Sequence, residues 1–114
     1  MTVSMKDVRK VLDPDEPDYA AAGELGEEAV PLLEQLVRGD DPMLASKATY
    51  AASLIQGGAD TVETAADSED PVVRVAAAAA ARNLPPERAR QVLRRLSDDE
   101  DAGIRKVARA SARR

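Results

Sequence analysis

An acidic pair followed by a helix-opening position recurs three times along the chain, as Asp40-Asp41-Pro42, Glu69-Asp70-Pro71 and Glu100-Asp101-Ala102. The step is 29 residues from Pro42 to Pro71 and 31 from Pro71 to Ala102. Each block leads into an alanine-rich run and follows a shorter amphipathic one. A period of this size is that of helical hairpins stacked in series, where each unit buries its apolar face against the next. A short carboxylate just before a helix accepts from the unpaired N–H groups of the first turn. Proline at the first helical position gives up an N–H that would have no partner there.

These signals divide the chain into two alternating kinds of helix. The A helices open at the acidic blocks. One runs from Pro42 to the Gly57-Gly58 stop and one from Pro71 to Pro85-Pro86, and a last one spans Ala102–Ala112. The B helices lie between them. Residues 27–38 place Ala29, Leu32, Leu33 and Leu36 on one side, and residues 86–97 repeat this with Ala89, Val92, Leu93 and Leu96. Ala59, Val62, Ala65 and Ala66 give the weakest copy. At the front, Ser4 caps a short B helix through Met5, Val8, Val11 and Leu12, and residues 18–25 form a short A helix. Pro14 and Pro17 compete to open that helix. The expected order is eight helices, B-A-B-A-B-A-B-A, with no strand alternation.

Composition narrows the function. A chain of 114 residues makes one domain, and its 44% apolar content is largely alanine, with Tyr19 and Tyr50 the only aromatics. Such a core suits close helix packing rather than an aromatic-lined ligand cavity. With no Cys and no His there are no disulfides, no thiolate or imidazole metal ligands and no histidine base. No cofactor, metal or catalytic residue is expected. The start, Met-Thr-Val-Ser-Met-Lys-Asp, lacks a signal-peptide core, and no run approaches the ~20 apolar residues of a membrane span. A soluble, cytoplasmic protein without membrane contact is expected. Arg outnumbers Lys by 12 to 4, which with the alanine content points to a GC-rich bacterial source.

The block of acid, Pro, two variable positions, Arg or a small residue and an alanine-rich helix resembles HEAT repeats, most closely the bacterial phycobilisome-lyase-type variety. The best copy is Asp70-Pro71-Val72-Val73-Arg74-Val75-Ala76-Ala77-Ala78. Asp41-Pro42 through Leu54 is a second, and Asp101 through Ala110, with Ile104-Arg105-Lys106-Val107-Ala108, a third. Gly26-Glu27-Glu28-Ala29-Val30-Pro31-Leu32-Leu33 is similar to the family's entry into a B helix. The resemblance covers the chain as a single domain, residues 1–114, in units of roughly 1–25, 26–56, 57–84 and 85–114. It implies an all-α, right-handed superhelix of about eight short helices, with B helices on the concave face and A helices on the convex one. The implied activity is non-catalytic binding, as a scaffold or adaptor for a protein partner. The lyase in the family's name carries no enzymatic weight, because unrelated proteins share the repeat.

Candidate chemistry is sparse. Asp98-Asp99-Glu100-Asp101 lacks the ligand spacing of a calcium loop, and the paired acids Glu27-Glu28 and Asp40-Asp41 sit where caps are needed. The serines have no His partner, and Gly57-Gly58 is no phosphate loop. Charge is more informative. Residues 1–70 carry −11 and residues 71–114 carry +6, within a net of −5. Aligned B helices place Arg9, Glu34, Glu63 and Arg94 in one row and Lys10, Gln35, Thr64 and Arg95 in the next, acidic in the middle and basic at the ends. Arg9, Lys10, Glu34, Gln35, Glu63, Arg94 and Arg95 are therefore the expected partner-binding residues, although a plain solvated face explains any one of them alone. Nucleic-acid binding through Arg88, Arg90, Arg94, Arg95 and the basic last helix (Arg105, Lys106, Arg109, Arg113, Arg114) is the rival. The pI near 4.8 and the missing stacking aromatics stand against it. An accessory role beside a protein-modifying enzyme rests on the resemblance alone. The opposed charge of the two halves also admits head-to-tail self-association.

Overall fold

The computed structural model describes residues 2–113, and capping side chains set where its helices begin. Asp41 accepts from the N–H groups of Met43 and Leu44, Asp70 from Val72, and Asp101 from Gly103 and Ile104. Ser4 and Asp7 make a reciprocal capping box. Asp18 accepts from Ala21, so Pro14 and Pro17 both lie in the turn ahead of the cap and neither opens the helix. Among the described residues the eight α-helices are α1 Met5–Leu12, α2 Tyr19–Glu24, α3 Val30–Val37, α4 Pro42–Ser53, α5 Ala59–Ala66, α6 Pro71–Ala80, α7 Pro86–Leu96 and α8 Ala102–Ala112. Two ends are tighter than the sequence pattern predicts. Residues Glu27–Ala29 form a 3-10 turn before α3, and Ala81–Asn83 form another after α6. Helix α5 forms despite its weak pattern because Thr61, Val62, Ala65 and Ala66 are all buried against its neighbours.

The helices lie in two rows. Odd-numbered helices pack in order, α1 on α3, α3 on α5 and α5 on α7; even-numbered helices do the same from α2 to α8. Each odd helix also packs on the even helix that follows it. The result measures 40 × 27 × 21 Å. Small side chains dominate the core, with 13 alanines among the 26 buried apolar residues of the described chain. Ala45, Ala48, Ala51 and Ala52 of α4 and Ala77, Ala78 and Ala80 of α6 make the central contact of the even-numbered row, where methyl side chains let the backbones approach. Larger residues (Leu12, Leu33, Val62, Val92, Leu96 and Ile104) fill the flanks.

The turn after α4 uses its two glycines differently. Gly57 has φ +90°, a left-handed conformation that costs a side chain roughly 1–2 kcal/mol. Gly58 has an ordinary φ of −87°, but a β-carbon there would lie 1.9 Å from the carbonyl oxygen of Ala52. The turns between rows are tied across repeats by cations. Lys47 Nζ donates to the carbonyl of Pro14 at 3.1 Å, joining α4 to the first turn. Arg74 donates from Nη1 to the carbonyls of Ser68 and Glu69 at 3.0 and 3.1 Å. Its Nε and Nη2 hold the two oxygens of Asp99 at 3.0 and 3.3 Å. Only 13% of the Arg74 side chain and 9% of Asp99 is exposed, so this pair joins α6 to the α7–α8 turn out of reach of most solvent.

Candidate protein-interaction face

The odd-numbered helices present the residues singled out from the charge rows. Arg9, Lys10, Gln35, Arg94 and Arg95 are exposed, and Glu34, Glu63 and Thr64 are half-buried. The spacing between helices then decides which charges meet. Glu34 accepts from Arg38 Nε at 2.6 Å and from Thr64 Oγ1 at 3.0 Å, which bridges α3 to α5. Glu63 is engaged by Arg88, whose Nη2 also reaches Asp60 Oδ1 at 2.5 Å. Arg95 pairs with Asp67, and Arg9 with Asp13 of its own helix end at 3.3 Å. The two carboxylates, Glu63 first, hold the Arg88 guanidinium above its usual range.

The acidic middle of this face is therefore partly neutralised from within. Arg88 and Arg95, two of the cations on which a nucleic-acid surface would depend, have their donors turned to α5. Arg94 and Arg90 have no carboxylate partner among the described residues. Arg114 of the basic last helix lies outside those residues. Arg105 and Arg109 donate to the carbonyls of Asp99 and Ser97 at 2.7 and 3.1 Å.

Two grooves include some of these residues in their lining. One, of about 580 Å³, runs from the end of α3 across α5 to the following turn and is lined by Arg38, Asp60, Glu63, Asp67, Glu69 and Asp70. The other, of about 590 Å³, lies between α7 and α8 over Leu84, Ala89 and Leu93, with Arg82, Arg90 and Arg94 at its rim. Among the described residues no three acidic side chains converge as metal ligands would. No helix there is long and apolar enough to cross a membrane.

Besides the Arg74–Asp99 pair, two contacts carry no clear mark in the sequence. Arg88 bridges α7 to α5, and its signal was a cation one turn into a B helix, facing acids one repeat earlier. Tyr19 and Tyr50 pair with ring centroids 4.8 Å apart, tying α2 to α4. Burial pushes the Tyr19 hydroxyl up, while Arg82 and then Asn83 beside the Tyr50 hydroxyl pull that one down. No protein-family model matches the chain, and no curated protein matches it.

Proposed function

We propose that the chain is a short HEAT-like solenoid, a right-handed α-α superhelix, acting as a non-catalytic scaffold that docks a protein partner along its odd-numbered helices. The roughly 30-residue repeat and the two ordered rows of helices support the architecture. The observation that carries the function is the pairing of an acidic groove over α5 with an exposed arginine edge on α7. Asp60 and Asp67 remain 88% and 67% exposed even while paired, so they keep solvent-facing oxygens for a basic segment. Arg90 and Arg94 offer donors to an acidic one. Such a bipolar surface fixes the direction in which an extended or helical segment lies, and complementary charge raises its association rate.

Nucleic acid fits this surface less well, since a phosphate backbone is attracted to α7 and repelled by α5 within one face. The test is an affinity capture with the wild-type chain as bait, compared with Arg94→Glu and with Asp60→Lys/Glu69→Lys. A specific partner is expected to be lost from both variants at unchanged helicity. Recovery of the same proteins in the same amounts would refute the reading, and tight binding of a labelled single strand at low salt would replace it.

A further inference from the structure

The cross-repeat clamp at Arg74 has a second copy whose outer half is open. Arg74 lies four residues after its cap Asp70, and Arg105 lies four after its cap Asp101. Each guanidinium donates from Nη1 to the carbonyl six residues back, Ser68 at 3.0 Å for Arg74 and Asp99 at 2.7 Å for Arg105. In Arg74 the Nε–Nη2 edge then grips Asp99, two residues ahead of the next A-helix cap. In Arg105 the same edge has no carboxylate among the described residues, and no helix of those residues follows α8.

The matching acid stands at the other end of the molecule. Two residues ahead of the first A-helix cap, Asp18, is Glu16, exposed in the turn Asp13-Pro14-Asp15-Glu16-Pro17. Glu16 is thus to α2 what Asp99 is to α8. It belongs to a half of the chain carrying −11, whereas Arg105 shares α8 with the exposed Lys106 and Arg109, ahead of the exposed Arg113, in a half carrying +6.

We propose that the α7–α8 end docks the α1–α2 end of a second copy of this chain, with Arg105 holding the Glu16 carboxylate as Arg74 holds Asp99. The contact joins two different patches, so it is heterologous and extends head to tail rather than closing as a two-fold dimer.

The experiment is sedimentation of the purified chain between about 10 µM and about 1 mM, the range of weak contacts. It is run at about 20 mM salt, where the screening length is roughly 20 Å, and again at about 0.5 M, where it is ~4 Å. The average mass is expected to rise with concentration at low salt and to fall back to the monomer at high salt. Arg105→Glu and Glu16→Arg are each expected to stay monomeric, and mixing the two is expected to restore association. Glu16 lies in an exposed turn, so Glu16→Arg carries the test if Arg105→Glu disturbs the fold. A wild-type chain that stays monomeric throughout at low salt overturns the proposal. So does association that Glu16→Arg leaves unchanged.

Discussion

Replacing Gly58 by alanine tests whether the turn after α4 holds its backbone as close as it stands. The added β-carbon would lie 1.9 Å from the Ala52 oxygen, 2.7 Å from its carbon and 3.0 Å from the Ile55 oxygen. Carbon–oxygen contacts ordinarily begin near ~3.3 Å, so a gap of more than about 1 Å must open within backbone. The segment that would move is pinned. Ile55 N–H donates to Ala52 at 3.1 Å, Gly58 N–H donates to Ile55 at 2.9 Å, and the Ile55 side chain is buried. Overpacking of this kind costs about 1–3 kcal/mol, and a strained or lost hydrogen bond adds about 1 kcal/mol. Alanine returns about 0.4–1 kcal/mol by restricting the unfolded chain. The net expectation is a loss of about 1–3.5 kcal/mol. An unfolding entropy of about 2.1 cal/mol/K per residue makes this roughly a 4–15 °C fall in Tm for a chain of this length. Urea and thermal unfolding followed by circular dichroism measure both quantities. Gly23→Ala is the control, because its β-carbon meets only Leu54 at 3.8 Å within α2. It is expected to stabilise by about 0.5–1 kcal/mol through helix propensity. A Gly58→Ala protein within about 0.5 kcal/mol of wild type would show that the close approach is not enforced.

Two further outcomes concern the clamp between repeats. Arg74→Ala should cost about 2–4 kcal/mol in urea unfolding, because it strands the Asp99 carboxylate and two turn carbonyls at a mostly buried position; Arg74→Lys should recover only part, lacking the two-pronged fork. Burial raises the Asp99 carboxyl, but the Asp101 N–H and the Arg74 fork, helped by the charge of Arg105, outweigh it and hold the group below its usual range. Its stabilising effect is therefore present above the unfolded value of about 3.9 and lost as pH falls through the lower folded value. The stability gap between wild type and Asp99→Asn should narrow below about pH 4, and a gap independent of pH would disprove the linkage.

Much of the fold was legible because its signals are local. Asp41, Asp70, Asp101 and Ser4 cap helices within three residues of themselves, so no knowledge of distant neighbours was needed to place them. The eight segments and their order follow from those caps and from 3.6-residue periodicity. Residues 27–29 and 81–83 were harder. Tightening into 3-10 geometry depends on how a helix end meets its neighbours, which periodicity does not encode.

By itself, then, the sequence determined the number and order of the helices, the caps of α1, α4, α6 and α8, and which side of each is apolar. Only the tertiary structure decided which charges meet. The rows read from the sequence set Glu63 beside Arg94, yet Glu63 is held by Arg88, six residues earlier in α7, and Arg94 is left without a carboxylate. Arg74 finding Asp99 across 25 residues was equally invisible. Facing helices can slide by a turn without altering either helix's own pattern. The stagger is set by how side chains of both fill the space between them, and that packing exists only once the chain has folded.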